Sequence, residues 1–190
     1  PAAMVELRVI DDAMNDVIRD GKSVGEVVAR APWLTQSYLK VEDATTELWR
    51  GGYLHTGDVG RFDEEGGLII ADRVKDVIKS GGEWISSLTL ESIASTVQGV
   101  TEVAAISIPD PRWGERPILL VVRDNHSKKT FQERIKIAFS EAVSSGIIPK
   151  WATPDRIDFV NEITKTSVGK MDKKTLRAAI QKAGKHCKGK

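Results

Sequence analysis

The sequence predicts an α+β fold in two parts: an incomplete β-subdomain over residues 1–74 and a small α+β domain over residues 75–190. Short strand-like runs separated by glycine turns fill the first third of the chain, and helical spacing of apolar residues begins only after Ser86. Strands and helices then alternate towards the C-terminus. The boundary rests on this change of pattern, and a region of about 110 residues is a common domain size.

The first third has the pattern of β-structure. Apolar residues partly alternate from Val5 to Ile10, and the run from Val24 to Ala29 is rich in valine. A turn at Gly51-Gly52 follows, and the acidic segment Asp63–Gly67 predicts a hairpin loop before an apolar strand, Leu68–Ala71. Because these strands form only part of a sheet, we expect exposed strand edges and self-association, for example as a homodimer.

The remainder predicts strands at residues 103–108, 118–123 and 156–160, with helices between and after them. Ser86 and Ser87 are candidate N-caps of a first helix, and Thr130 with Glu133 has the capping-box spacing ahead of a second. Asp172 is expected to cap a last helix that ends near Gly184.

Composition narrows the classes of partner. Lys and Arg number 28 against 27 Asp and Glu, so the charge gives no reason to expect nucleic acid, and no apolar run predicts a membrane span. The single Cys187 allows no internal disulfide, which fits a cytoplasmic protein. His55, His126 and His186 lie far apart in the sequence, and no metal site is predicted.

Three segments carry a resemblance to a known family. They are Tyr53-x-x-Thr56-Gly57-Asp58, Asp72-Arg73-x-Lys75-Asp76-x-Ile78-Lys79-Ser80-Gly81-Gly82-Glu83, and Lys165-Thr166-x-x-Gly169-Lys170. In this order the chain resembles the adenylate-forming (AMP-dependent) enzymes over essentially its whole length. The surroundings of Trp33, Trp84 and Trp113 are similar to the fatty-acyl-CoA synthetase branch. The resemblance implies the C-terminal portion of an acyl-CoA synthetase, in which a partial barrel-like subdomain precedes a mobile lid domain.

For the first half-reaction, the resemblance implies that Asp58 and Arg73 bind the ribose of ATP and that Lys170 is the catalytic lysine of adenylation. A carboxylate suits a vicinal diol because its two oxygens can accept from both hydroxyls. Each residue also has a plainer interpretation. Thr56-Gly57-Asp58 is typical of a turn, Arg73 could pair with Asp72 or Asp76, and most lysines are simply solvated.

For the second half-reaction, the resemblance implies that Lys75 is the hinge about which the C-terminal domain swings. Lys79 would assist catalytically, and Trp84 would pack on the nucleotide or line the acyl end. The residues implied to bind CoA are Lys79, Ser80, Gly81, Gly82 and Glu83. The plainer interpretation makes Gly81-Gly82 a tight turn and Trp84 a core aromatic.

The resemblance therefore implies a carboxylic acid, ATP and CoA as substrates, with Mg²⁺ held mainly by the phosphates and by residues outside this sequence. The family's phosphate loop and acyl pocket would precede these residues, so we expect the chain alone to be inactive. Two alternatives remain open: an adenylation enzyme that loads a carrier protein, and a non-catalytic binding module. One departure is Ile163-Thr164, where the family often has an apolar residue followed by Pro, and it bears on the rigidity of the Lys170 loop.

Overall fold

The structure, a computed structural model, describes residues 4–39, 41–124 and 128–186. The chain divides into two compact units, Pro1–Val77 and Ile78–Lys190, three residues later than the boundary predicted from the sequence. Antiparallel sheets with a few helices make up both units, which confirms the α+β class.

The first unit contains a four-stranded antiparallel sheet in which the strands lie in chain order, so β1 and β4 are its edges. Alternate side chains point to one face, where Val9, Val27 and Phe62 form a small buried cluster. The edge strand β4 exposes Ile69 and Ile70. The strands are β1 (Glu6–Ile10), β2 (Gly25–Arg30), β3 (Leu54–Phe62) and β4 (Leu68–Arg73).

The expectation of pure β-structure in the first third is wrong at one segment, because a short helix α1 spans Glu42–Leu48. Its first turn carries Glu42 and Asp43, whose negative charge favours a helix N-terminus. Leu48 is its one buried residue, so the helix has too little apolar periodicity to be recognised in the sequence.

The second unit has a five-stranded sheet in the order β6-β5-β8-β7, with β9 parallel to β8. Its centre is the long β7–β8 hairpin, which pairs from Val100 opposite Arg123 to Asp110 opposite Gly114. The strands are β5 (Ile78–Ser80), β6 (Glu83–Ile85), β7 (Val100–Asp110), β8 (Gly114–Arg123) and β9 (Arg156–Phe159).

Both faces of the central hairpin are buried. Along β8, Leu119 and Val121 belong to one core cluster, whereas Ile118 and Leu120 belong to another. The first cluster is covered by helices α2 and α3, and the second by α4. The helices are α2 (Ser87–Ser95), α3 (Lys128–Ser144) and α4 (Lys173–His186).

The helix ends test the predicted caps. Ser86 caps α2, because its Oγ accepts a hydrogen bond of 3.1 Å from the Thr89 N–H. Asp172 caps α4 in the same way through Thr175, at 3.0 Å. Two boundaries differ from the prediction: α3 begins two residues before Thr130, and α4 continues through Gly184 to His186. A single glycine lowers helix stability but does not end a helix that other turns support.

Candidate functional site

In the first unit, neighbouring strands bring together the two residues expected at a ribose. Asp58 on β3 lies opposite Arg73 on β4, and Asp58 Oδ1 is 3.8 Å from Arg73 Nε. The side chains are 40% and 59% exposed, so this is a loose surface ion pair whose polar atoms remain accessible. The described ion pair of Arg73 is therefore with Asp58 and not with the adjacent acids.

The residues before Asp58 form a local irregularity in strand β3. The Thr56 hydroxyl donates to the Val27 carbonyl at 2.7 Å and accepts from the Asp58 N–H at 3.1 Å. Gly57 has φ = +72°, a conformation that favours glycine, and its carbonyl accepts from the Val74 N–H. The Thr-Gly-Asp segment is thus an irregularity within strand β3, where the β2–β3 register shifts, and the β3–β4 pairing places Asp58 opposite Arg73.

Lys75 lies in the turn between β4 and β5, where the chain passes from one unit to the other. The N–H groups of Asp76 and Val77 both bond to the Arg73 carbonyl, at 2.9 and 2.8 Å. Lys75 itself is exposed, and the division between the units falls at Val77. The predicted hinge residue therefore stands within two residues of the end of the first unit.

The β5–β6 hairpin carries the residues expected to bind CoA. Ser80 pairs with Glu83, and the two residues between them, Gly81 and Gly82, have φ values of +63° and +88°. Such a two-residue turn with two positive φ angles is a preferred hairpin connection, and Gly-Gly is one of the residue pairs that favour it. The glycines and Glu83 are exposed, so the backbone of the hairpin tip is accessible.

Lys79 and Trp84 form a pair on this hairpin. They lie opposite each other in the strand register, and the Lys79 ammonium is 4.5 Å from the centroid of the indole ring. This is a cation–π contact. Both residues are half-buried, so Trp84 is not a core aromatic but a ring at the edge of the sheet, covered in part by a cation.

The tip of the hairpin is held by Trp113, which lies in the β7–β8 turn. The Gly81 N–H donates to the Trp113 carbonyl at 2.7 Å. A Cβ atom on Gly81 would lie only 2.9 Å from the indole ring, whereas one on Gly82 would meet nothing within 4 Å. Trp113 is 44% exposed and carries Arg112 against its ring, so it contributes to the surface as well as to packing.

Arg116 is a residue that sequence reasoning did not single out. It makes two hydrogen bonds to Asp155, at 2.6 and 2.9 Å, and also donates to the Ser80 hydroxyl and the Trp151 carbonyl. These hydrogen bonds to Asp155 hold the pKa of Arg116 above its ordinary value, against the effect of burial. Ser80 is buried and bonded to Arg116, so its hydroxyl faces the interior and not the hairpin tip.

Lys170 is exposed on a loop that closes on itself. The loop is a small hairpin: the Thr166 N–H bonds to the Lys170 carbonyl at 2.7 Å, Lys165 bridges Met171, and the Asp172 N–H bonds to the Thr164 carbonyl at 2.9 Å. Gly169 turns the chain at φ = +79°. The loop thus has a defined backbone although Thr164 stands in the place of the expected proline.

Behind this loop lies a buried polar cluster, here called the Lys173 cluster, formed by Lys173, Glu91 and Ser87. Lys173 Nζ is 2.7 Å from Glu91 Oε1 and 2.6 Å from Ser87 Oγ. Glu91 Oε1 also accepts from the Ala105 N–H of β7 at 2.9 Å. The residues are 8%, 8% and 0% exposed, so these interactions are shielded from water.

Two further findings concern absent features. Among the described residues, no helix is long and apolar enough to cross a membrane, and no group of three or more His, Cys, Asp and Glu residues could hold a metal ion. His126 and Cys187 lie outside that part of the chain. His55 contacts Glu26 and the Arg50 carbonyl through its two ring nitrogens, at 2.8 and 3.1 Å.

Residues 89–170 match the sequence profile of the AMP-binding enzyme C-terminal domain, and the match ends at Lys170. A long-chain-fatty-acid–CoA ligase from Thermus thermophilus is 43% identical over 178 residues, which are 93% of this chain and 32% of the ligase. A 3-methylmercaptopropionyl-CoA ligase from Ruegeria pomeroyi is 40% identical over 93% of this chain and 31% of its own length.

A likeness of structure accompanies the likeness of sequence. The crystal structure of the anthranilate CoA ligase AuaEII in complex with anthranoyl-AMP superimposes with a TM-score of 0.78 and 28% identity. The superposition covers 94% of this chain and 34% of that protein. The chain therefore spans about a third of the length of the relatives it matches.

Proposed function

We propose that this chain is the C-terminal part of an AMP-forming acid–CoA ligase of the fatty-acyl-CoA synthetase type. The premise is that the chain belongs to the adenylate-forming enzymes and contains their C-terminal domain. In the first half-reaction a carboxylate oxygen attacks the α-phosphorus of ATP, and pyrophosphate leaves. In the second, the sulfur of CoA attacks the acyl carbonyl, AMP leaves, and the thiol proton is released. The observation that carries the proposal is an exposed Lys170 on a backbone-closed loop within the matched domain.

Lys170 is assigned to adenylation. Attack on the α-phosphate brings two anions together and builds negative charge on the phosphate oxygens, which a positioned ammonium stabilises. The side chain is exposed and the backbone beneath it is held by hydrogen bonds, so the charge is presented on a fixed base. A long lysine stem on such a base can reach the reacting atoms without motion of the loop itself.

Asp58 and Arg73 are assigned to the ribose of ATP. The 3.8 Å separation is longer than a hydrogen bond, so neither side chain must break a strong bond to accept a ligand. Asp58 has two carboxylate oxygens for the two ribose hydroxyls, and Arg73 can donate to the sugar or to a phosphate. The ATP would carry Mg²⁺, held mainly by its phosphates, since the described residues offer no cluster of ligands for it.

The β5–β6 hairpin is assigned to CoA. Glycines at both turn positions leave the backbone N–H and C=O groups open to a pantetheine arm, and Glu83 lies beside them. The Lys79 ammonium, held on Trp84, supplies a positive charge for the thioester step, while the exposed part of the indole offers a surface to the nucleotide. Ser80 supports this hairpin from the inside, through Arg116.

Two half-reactions with two sets of residues require a rearrangement, and Lys75 is assigned to the hinge. In this turn the N–H groups of Asp76 and Val77 donate to the Arg73 carbonyl, and the Val74 N–H donates to the Gly57 carbonyl. Rotation there would exchange the Lys170 loop for the hairpin at a common pocket.

We also expect the protein to work in the cytoplasm, and to self-associate through the edge strand that exposes Ile69 and Ile70.

The test is a hybrid ligase, in which this 190-residue chain replaces the corresponding third of the Thermus thermophilus relative. We expect ATP–pyrophosphate exchange and acyl-CoA formation with a long-chain acid. Lys170→Ala should reduce exchange by at least about 100-fold and leave the conversion of supplied acyl-adenylate nearly unchanged. The matched control is Lys174→Ala, because Lys174 is also an exposed lysine of the same segment.

The same assay separates the alternatives. Adenylation without any acceleration by CoA would favour an enzyme that loads a carrier protein. A hybrid that folds but catalyses neither step would contradict the ligase assignment and favour a binding module. If Lys170→Ala and Lys174→Ala behave alike, the role of Lys170 is wrong.

A further inference from the structure

Two short segments connect the Lys170 loop to the rest of the domain. One begins at Ile163, which is buried in the core cluster under α4. The other is Met171-Asp172, which leads directly into α4. Between these segments the contacts of the loop include backbone hydrogen bonds, a 3.3 Å hydrogen bond from the Lys170 N–H to the Thr166 hydroxyl, and an ion pair of Lys165 with Glu102. That ion pair lies at the surface, since the two side chains are 46% and 35% exposed. Its position therefore depends on how firmly the first turn of α4 is fixed.

Lys173 fixes that turn. It lies three residues after Lys170, and its ammonium is enclosed by Glu91 and Ser87 of α2 at 2.7 and 2.6 Å. Both contacts are charge-assisted and short, which makes them directional as well as strong. Since Lys173 is only 8% exposed, its contacts with Glu91 and Ser87 are largely shielded from competing water.

The partners of Lys173 are themselves fixed. The Glu91 oxygen that contacts Lys173 also accepts the Ala105 N–H, so the carboxylate is bonded to the central strand β7. Ser87 is the first residue of α2 and follows β6, the second strand of the candidate CoA hairpin. The Lys173 cluster thus joins the start of α4, the start of α2 and the central sheet.

We propose that Lys173 is a positioning residue that holds the Lys170 loop in the geometry needed for adenylation, a proposal that rests on the function assigned to Lys170. Lys173 does not touch a substrate in this scheme. Its charge acts through Glu91 and Ser87, which set the direction in which α4 leaves the loop. A catalytic group displaced by only about 1 Å can lose a factor of about 100 in rate, so a small change in that direction is sufficient.

The variant that tests this is Lys173→Met, which keeps most of the side-chain volume but removes the charge. The control is Lys174→Met on the neighbouring exposed lysine. In the 190-residue chain, amide hydrogen exchange at Thr166 and Asp172, the donors that close the loop, should accelerate at least about tenfold in Lys173→Met. Exchange at Leu119 and Val121 in the central strand reports global unfolding, and the same two loop amides in Glu91→Gln/Lys173→Met should accelerate more than these central amides do.

Because Lys173→Met removes the ion-pair partner of the buried Glu91, it could unfold the domain, and two milder variants keep the proposal testable. Ser87→Ala removes one hydrogen bond and leaves the ion pair in place, so it should accelerate exchange at the same two amides by a smaller factor. Glu91→Gln combined with Lys173→Met removes both charges, and it should fold while retaining the loosened loop.

In the hybrid ligase, the folded variants that lack Lys173 should lower kcat for pyrophosphate exchange by about 100-fold, and Ser87→Ala by a smaller factor. KM for ATP and turnover of supplied acyl-adenylate should stay within about twofold. Lys173→Arg, which keeps the charge, should restore most of the adenylation rate. Equal losses in both half-reactions would overturn the proposal in favour of a purely structural role. So would unchanged exchange at Thr166 and Asp172 in a folded Lys173→Met chain.

The two proposals fail in different ways. If the hybrid with native Lys173 is inactive, the proposed function fails, whereas amide exchange in the 190-residue chain still decides whether Lys173 positions the loop. If the hybrid is active and Lys170→Ala abolishes adenylation but Lys173→Met does not, only the positioning proposal fails.

Discussion

Replacing Gly81 by Ala should destabilise the second unit more than replacing Gly82 by Ala, although the two glycines are neighbours in one turn. Both have positive φ, at +63° and +88°. An alanine in this left-handed region costs about 1–2 kcal/mol, so each substitution should lower the free energy of unfolding by that amount.

The difference comes from Trp113. A Cβ on Gly81 would lie 2.9 and 3.2 Å from two carbons of the indole, whereas contacts between carbon atoms are favourable at about 3.5–4.0 Å. Overpacking of this kind costs about 1–3 kcal/mol. Trp113 is 44% exposed and can tilt outwards, so we expect an excess near the lower end, about 1–2 kcal/mol for Gly81→Ala over Gly82→Ala.

The assay is urea denaturation followed by far-UV circular dichroism. For an m-value of about 2 kcal/mol/M, in the middle of the range for small proteins, the excess corresponds to a difference in midpoint of about 0.5–1 M. The double variant Gly81→Ala/Trp113→Ala should lose the excess and behave like Gly82→Ala/Trp113→Ala. Equal midpoints for the two single variants, or an excess that persists without the indole, would refute the packing of Trp113 on Gly81.

Three further outcomes are expected. Phe131→Ala should cost about 3–5 kcal/mol in urea denaturation because the ring is fully buried, whereas Ile137→Ala on the exposed face of the same helix should stay within about 0.5 kcal/mol. Arg116→Ala should cost about 1–3 kcal/mol by the same assay, since it leaves the buried Ser80 hydroxyl and the Trp151 carbonyl without their donor, and a smaller loss for Arg116→Ala than for Ile137→Ala would contradict it. Asp172 has a pKa below its ordinary value of 3.8, because the Thr175 N–H and hydroxyl donate to it. Its stabilising effect is therefore present above that value and is lost as the pH falls through the lowered pKa, so urea midpoints at pH 5 and pH 3 should differ more for the native chain than for Asp172→Asn.

The sequence predicts those parts of the fold in which local pattern and burial coincide. The apolar run Ile118–Val121 is continuous because β8 is buried on both faces, and the spacing of Leu90 and Ile93 is helical because one face of α2 meets the core. The helix α1 is missed because it buries only Leu48. The predicted start of α3 is wrong because Thr130 and Glu133 have the spacing of a capping box but lie inside the first turns of the helix.

The same distinction applies to the candidate site: residues with a local sequence signal could be predicted, whereas contacts between distant segments could not. Motif residues such as Gly81 and Gly82 can be recognised in the sequence, because glycines are favoured in a hairpin turn with two positive φ angles. Contacts between distant segments leave no such signal. Arg116 meets Asp155 across 39 positions, and Lys173 meets Ser87 across 86, so their roles become visible only when the chain is folded.

Two of these distant contacts lie beneath the two surfaces that the proposed function assigns to the two half-reactions. The hairpin at Gly81 is held from within by Arg116, and the Lys170 loop is held from within by Lys173. Lys173 is bonded to Ser87 and Glu91, and both residues lie on α2, the helix that follows the hairpin. If the domain swings about Lys75 as proposed, both surfaces must move as one body, because a loose anchor would let a reactive group lag behind the rotation. The buried charges of the Lys173 cluster satisfy this requirement better than apolar packing alone, since an ion pair with fixed hydrogen-bonding partners tolerates only a narrow range of geometries.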